Sequence, residues 1–267
     1  MSSMVRRFGA AALMAIAASG ALAGCGSSNS SSSSTQASAS TSSSSGGGAG
    51  TQLTVLAAAS LKKVLPQIDP SPKYTFGGSG ALATDIEQGA PADVFAAASA
   101  KQPAALYAKG LVSKPVRFAT NTLVLVVPKD NPAHITNVDD VTKPGVKLVI
   151  CSANVPCGDY ARGVFKNLGI TEAAMKNVVS QTADVSQTLA QVALGQADAG
   201  FVYITDAKAA SGKVEVVRLP EKAKPGAKDY IAVVKASKNQ SAAKAYVASV
   251  LSPSGQEKLR AAGFGKP

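Results

Sequence analysis

Leu53-Thr-Val-Leu-Ala-Ala-Ala-Ser-Leu61 is the stretch from which the fold of this chain is most readily predicted. An apolar run leads to Ser60, and the residues from Leu61 to Ile68 then have helical spacing, which is the pattern of a strand followed by a helix. The loop Gly77-Gly-Ser-Gly80 precedes a second predicted helix, Ala81 to Gln88. Such repeated units predict an α/β fold with parallel sheets covered by helices, in which ligands lie beyond the carboxyl ends of the strands.

A second set of strand and helix units follows an apolar run that could carry the chain into another lobe, Leu123 to Val127. Tyr230 to Val234 is predicted to be a strand that returns the chain to the first lobe. The intervening strands are predicted at Val146 to Ile150 and Ala199 to Tyr203, with helices at Tyr160 to Leu168 and Val185 to Leu194. Two final helices are predicted at Ala242 to Leu251 and Gln256 to Ala262.

The N-terminus has the pattern of an export signal. Arg6 and Arg7 precede an apolar run from Phe8 to Leu22, and Leu22-Ala-Gly-Cys25 resembles the lipobox of bacterial lipoproteins. The run is shorter than the roughly 20 residues that cross a bilayer. We therefore predict a lipoprotein signal peptide at residues 1–24 and a lipid anchor on Cys25; the alternative is an ordinary signal peptide with an incidental cysteine.

Residues 25–50 are almost entirely Ser, Gly, Ala and Thr, which predicts a disordered tether. The chain from Thr51 onward has no apolar stretch long enough to span a membrane and is expected to be soluble. The location predicted is therefore extracytoplasmic, with the protein held at the cell membrane by its lipid.

The full chain has a formal net charge of +11. Without residues 1–24 it keeps 25 basic and 16 acidic residues, a net charge of +9. Its lysines are scattered and its aromatic residues few, which favours a solvated basic surface over a nucleic-acid interface.

Cys151 and Cys157 are the two cysteines that remain once Cys25 carries lipid. Outside the reducing cytosol a disulfide is the natural interpretation. The alternatives are a metal site, for which no His or third Cys lies nearby, and a redox pair, for which the spacing is not Cys-x-x-Cys.

Ser60 and Ser79 each lie at the predicted start of a helix, and Ser79 is flanked by glycines. Helix starts present unpaired N–H groups, and glycine lets an anion approach the backbone, so both loops are candidate anion sites. The alternative is that both serines only cap their helices.

Three stretches resemble the periplasmic molybdate-binding protein family: Val55-Leu-Ala-Ala-Ala-Ser-Leu61, Gly77-Gly-Ser-Gly-Ala-Leu82 and Ile86-Glu-Gln-Gly-Ala-Pro-Ala-Asp-Val-Phe95. Further motifs follow in the family's order: Asn121-Thr-Leu-Val-Leu-Val-Val-Pro128, Val155-Pro-Cys-Gly-Asp-Tyr160, Asp184-Val185, Gly200-Phe-Val-Tyr203 and Gly263-Phe264. Each motif alone is weak, but the ordered set is specific and runs from Leu53 to the end of the chain.

The resemblance implies a type II periplasmic-binding-protein fold, in which two α/β lobes joined by two crossing strands enclose an anion. It implies lobe I at residues 51–121 and 231–267, and lobe II at residues 122–230. Lobe closure is expected about crossing segments near residues 120–123 and 229–231.

The resemblance also implies five oxyanion-binding residues. Ser60 and Ser79 match serines of the first lobe, Cys157 and Val185 match backbone N–H donors, and Tyr203 matches a tyrosine whose hydroxyl reaches the anion. The loop Gly77 to Gly80 has fewer hydroxyls than a serine-rich version of the motif.

The ligand implied is molybdate or tungstate, delivered to the permease subunits of an ABC importer by a monomeric protein that is not an enzyme and uses no cofactor or metal. A fully ionised tetrahedral dianion needs only donors, whereas phosphate would profit from a carboxylate acceptor. Sulfate stays open as an alternative.

Three other functions fit less well. A serine hydrolase at Ser79 would need a base, and the single histidine, His134, lies in a loop-like segment without an acid partner. A metal-binding lipoprotein would need converging ligands, and a structural surface lipoprotein would leave the two anion loops unexplained.

Overall fold

A computed structural model describes residues 52–267. The predicted signal peptide, the lipid anchor on Cys25 and the tether all lie outside the described residues, and so does Thr51. Within residues 52–267, no helix combines the length and apolarity needed to cross a membrane.

Ten strands form two five-stranded sheets in the described part of the chain. The first sheet has the order β2-β1-β3-β10-β4 and the second β7-β6-β8-β5-β9. The strands are β1 (Thr54–Ala58), β2 (Lys73–Gly77), β3 (Val94–Ala97), β4 (Val116–Asn121), β5 (Leu123–Pro128), β6 (Leu148–Cys151), β7 (Val178–Thr182), β8 (Ala199–Tyr203), β9 (Val214–Val217) and β10 (Ala227–Val233).

Helices connect and cover the strands. They are α1 (Leu65–Ile68), α2 (Ser79–Glu87), α3 (Lys101–Ala108), α4 (Pro156–Leu168), α5 (Thr171–Lys176), α6 (Val185–Ala193), α7 (Ile204–Ala209), α8 (Gln240–Leu251) and α9 (Pro253–Ala262), with 3₁₀ turns at Ala59–Leu61, Val138–Thr142 and Glu221–Ala223. We call the first sheet with α1–α3, α8 and α9 the first lobe, and the second sheet with α4–α7 the second lobe.

The two sheets are mixed, whereas the repeated units of the sequence predict parallel sheets. β1 pairs in parallel with β2 and β3, but β10 is antiparallel to β3 and β4. β5 is likewise antiparallel to β8 and β9. The reason lies in the crossings between the sheets: β4 carries the chain out of the first sheet and β10 brings it back, so these two neighbouring strands run in opposite directions.

The chain enters the second sheet between Asn121 and Leu123 and leaves it after Val217. Residues 227–230, which the sequence prediction places in lobe II, pair with β4 of the first sheet in the structure. The break at Pro225-Gly226 comes before this strand. The other predicted limits, residues 51–121 and 231–267 for lobe I and a start of lobe II at residue 122, are kept as a proposal.

The helix predicted from Leu61 to Ile68 is interrupted. A 3₁₀ turn ends at Leu61, and α1 begins only at Leu65, with Pro66 in its first turn. Proline has no N–H and its ring clashes with the preceding turn, so it is tolerated at a helix start but not in a helix interior. Ser60 is therefore held in a tight turn directly after β1.

Each lobe has a packed apolar interior. β5 is buried at every residue, and Phe165 of α4 packs edge-on against Phe201 of β8, with 5.3 Å between ring centroids. In the first lobe, Phe95 and Leu106 are fully buried. Cores of this kind fix the strand ends, which is where the candidate site lies.

Candidate functional site between the two lobes

All five sequence-predicted site residues line one small cavity between the lobes. Ser60 and Ser79 come from the first lobe, and Cys157, Val185 and Tyr203 from the second. The cavity holds about 10 Å³ of water-accessible space. Each of the five is at most 7% exposed, so the lobes are closed over this point.

The two serines of the first lobe differ in their hydrogen bonds. Ser60 Oγ has no hydrogen-bond partner among the described residues. Ser79 Oγ accepts from the backbone N–H of Ala98, at 3.2 Å, which ties it to the end of β3. Neither side chain caps a helix, because Ala58 and Gly78 hold the N-cap positions. The alternative that these serines are only helix caps is therefore excluded.

The second lobe contributes helix starts. Cys157 is the second residue of α4 and Val185 the first residue of α6. Backbone N–H groups of a first turn have no carbonyl partner within their helix and carry partial positive charge. Asp184 lines the cavity too, but as a cap: its Oδ1 accepts from Gln187 N at 3.0 Å and its Oδ2 from Gln187 Nε2 at 3.2 Å.

Tyr203 ends β8, and its hydroxyl has no partner among the described residues. Its backbone N–H donates to Asp206 Oδ2 at 3.1 Å, and Tyr160 packs edge-on against its ring at a centroid distance of 6.4 Å. Burial raises the pKa of the Tyr203 hydroxyl well above its ordinary value, so this group is a donor at neutral pH. Ser60 Oγ and Tyr203 Oη thus supply two buried hydroxyls from opposite lobes.

The segment that carries Cys157 is fixed in three ways. Cys151 and Cys157 form a disulfide, as predicted. Arg162 Nη1 donates to the carbonyl oxygens of Cys151 and Gly158 at 3.0 and 3.1 Å, and Nη2 donates to Gln181 at 2.7 Å. These bonds hold the start of α4 in place, and no pattern in the sequence singled out Arg162.

Two buried carboxyl groups, those of Asp206 and Asp229, lie close enough to Tyr203 to affect the pKa of its hydroxyl. Burial raises the pKa of Asp206 to about 7, although the Tyr203 N–H favours the charged form. Burial, with a smaller contribution from Asp206, raises the pKa of Asp229 well above its ordinary value, and neither Asp229 oxygen has a hydrogen-bond partner among the described residues. Sequence reasoning missed Asp229, because its burial depends on how β10 packs.

The donor set suits an anion and not a cation. Asp184 is the acidic residue on the cavity wall within residues 52–267, and both of its carboxylate oxygens accept hydrogen bonds from Gln187. The same residues contain no cluster of His, Cys, Asp and Glu able to hold a metal. Converging hydroxyls and helix N-termini are the groups that bind oxyanions.

Two lobes closed on a donor-lined cavity define a solute-binding protein of the two-lobed class. A family model described as bacterial extracellular solute-binding protein matches residues 53–265, and the chain belongs to this family. The predicted fold class, a type II periplasmic-binding-protein fold, is confirmed.

The relatives of this chain include molybdate-binding proteins, and a sulfate-binding protein shares its fold. The molybdate-binding protein ModA of Mycobacterium tuberculosis is 39% identical over 225 residues, covering 80% of this chain and 85% of that protein. Among solved structures, the Azotobacter vinelandii periplasmic molybdate-binding protein has a TM-score of 0.72 at 22% identity, covering 81% of this chain and all of that one. The sulfate-binding protein SubI of M. tuberculosis has a TM-score of 0.68 at 19% identity, covering 80% of this chain and 86% of that one. The fold alone therefore does not select the anion.

Proposed function

We propose that this protein captures molybdate, or its analogue tungstate, outside the cytoplasm and delivers it to the permease subunits of an ABC importer. The observation that carries the proposal is the cavity wall: hydroxyls and helix starts from both lobes converge there, without a free carboxylate. The 39% identity to a molybdate-binding protein supports the choice of anion over sulfate.

The roles proposed follow the geometry. Ser60 donates through Oγ and its N–H, Ser79 through its Oγ or its N–H at the start of α2, and Tyr203 through its hydroxyl. Cys157 and Val185 donate through backbone N–H groups only, so their side chains matter little. Hydrogen bonds to a charged group contribute about 1.5–3 kcal/mol each, and five of them suffice for micromolar binding after the costs of ordering and desolvation.

The cleft neutralises the dianion with dipoles instead of side-chain cations. Among residues 52–267, no Lys, Arg or His lines the cavity. Three helices of nine residues or more, α2, α4 and α6, begin at its wall. Since the partial charge at each helix start is fixed by the fold, it needs no reorganisation when the anion binds.

A lipid on Cys25 would keep the protein at the membrane, close to its permease. This proposal rests on the sequence pattern Leu22-Ala-Gly-Cys25. We further propose that the protein acts as a monomer, is not an enzyme and uses no cofactor, with molybdenum bound only as its oxyanion.

Calorimetric titration of the chain from Thr51 onward with molybdate, tungstate, sulfate and phosphate tests the proposal. We expect molybdate and tungstate to bind at micromolar concentration or tighter, sulfate more weakly, and phosphate least. Tight sulfate binding without molybdate binding would make the protein a sulfate receptor instead. Labelling of Ser79 by a fluorophosphonate probe would favour a serine hydrolase.

A further inference from the structure

Two glycines of the first lobe touch the backbone of the second lobe directly. A methyl group built at Gly78 would lie 2.3 Å from the carbonyl oxygen of Ala183, and one built at Gly80 would lie 2.2 Å from the carbonyl oxygen of Asn154. Contacts below 3.0 Å are essentially never made by a real Cβ atom. Any side chain at either position would therefore hold the lobes apart.

Neither glycine is required by its own backbone conformation. Gly78 has φ −67° and ψ 130°, which any residue adopts, and Gly80 lies inside α2. In a helix interior alanine is favoured over glycine by about 1 kcal/mol. The first lobe by itself would thus accept alanine at both positions, and glycine is needed only for the approach of the other lobe.

The segments that carry the opposing carbonyls are held within the second lobe. Asn154 lies inside the loop closed by the Cys151–Cys157 disulfide, where Val155 N donates to the carbonyl oxygen of Ser152 at 3.0 Å. Ala183 donates to Gln187 Oε1 at 3.3 Å. A collision at Gly78 or Gly80 would consequently be relieved by opening the lobes.

We propose that Gly78 and Gly80 determine how far the lobes close, and that the missing Cβ atoms let the donors of the second lobe reach an anion held by the first. This rests on the proposed function of the cleft as an oxyanion clamp. Gly78→Ala and Gly80→Ala should each leave the lobes folded but prevent full closure. Losing the two N–H donors of Cys157 and Val185 would weaken molybdate binding by about a hundredfold, at roughly tenfold for each bond.

Gly163 provides a matched control. A methyl group at this position, inside α4, would meet nothing within 4 Å. Gly163→Ala therefore replaces a helical glycine without bringing a new atom against the other lobe. It should bind molybdate within about twofold of the unsubstituted protein.

Calorimetry with molybdate on the unsubstituted protein and these three variants is the first test, after thermal melting has shown that each variant is folded. Weaker binding in Gly78→Ala and Gly80→Ala, but not in Gly163→Ala, supports the proposal. Affinity equal to that of the unsubstituted protein in both variants overturns it. Because two separate positions are tested, a folding failure in one leaves the other decisive.

Carbodiimide cross-linking measures closure without any ligand. Lys101 Nζ and Asp159 Oδ2 lie 2.9 Å apart across the cleft, whereas Lys109 and Glu87, 2.8 Å apart, both belong to the first lobe. The Lys101–Asp159 yield, relative to Lys109–Glu87, should fall in Gly78→Ala and Gly80→Ala and stay unchanged in Gly163→Ala. An unchanged ratio in both variants contradicts the inference, even if the unsubstituted protein binds none of the anions and the proposed function fails.

Discussion

Ser60→Ala should weaken molybdate binding while leaving the stability of the fold almost unchanged. Ser60 is 7% exposed, and its Oγ makes no hydrogen bond within the described chain, so its removal leaves no protein group unpaired. The free energy of unfolding should change by no more than about 0.5 kcal/mol. In the closed cleft, however, a missing donor leaves one anion oxygen unsatisfied, which costs about 1.5–3 kcal/mol.

The expected loss of molybdate affinity is therefore about 10- to 150-fold, measured by calorimetric titration. Ser252→Ala is the matched control, since Ser252 Oγ accepts from Gly255 N at 3.1 Å and caps α9. This change should lower stability by about 1 kcal/mol in urea unfolding and leave affinity unchanged. If Ser60→Ala binds as tightly as the unsubstituted protein while Ser252→Ala behaves as expected, the role assigned to Ser60 is wrong.

Three further predictions concern groups around the cavity. Tyr203→Phe should weaken molybdate binding about tenfold or more by calorimetry, because it removes a buried hydroxyl that has no protein partner; unchanged affinity would refute this. The folded pKa of Asp229 lies above its ordinary 3.8, so its contribution to stability is present at low pH and is lost as pH rises through that pKa. Asp229→Asn should thus stabilise the fold more at about pH 8 than at about pH 4 in urea unfolding; equal effects at both pH values would count against the burial argument. Replacing Cys151 and Cys157 by Ala should cost about 2 kcal/mol of stability and little affinity, since the proposed donor at position 157 is the backbone N–H and not the side chain; a large loss of affinity would show that the disulfide orients that donor.

Local patterns in the sequence predict most elements of this fold. The strand Ala199–Tyr203 and the start of α6 at Val185 have the predicted bounds, because apolar runs and a capping aspartate mark them locally. β4 and β9 have no such signal, since both strands are partly exposed. The antiparallel pairings were also missed, because they depend on how the chain crosses between sheets.

The convergence of five residues on one cavity was predicted through the family resemblance, and the residues alone would not have supplied it. Gly78 and Ala183 are far apart in sequence, so the need for glycine appears only when the lobes meet. The burial of Asp229 likewise depends on how β10 packs in the assembled structure. Sequence patterns specify elements and helix starts, whereas contacts between lobes require the assembled structure.

A crystal structure of the molybdate complex, with anomalous scattering recorded at the molybdenum edge, tests the central claim most directly. One anomalous peak should lie between the lobes, with oxygens within hydrogen-bond distance of Ser60 Oγ, Tyr203 Oη and the backbone N–H groups of Cys157 and Val185. A peak at any other place, or an anion bound by one lobe alone, would contradict the account.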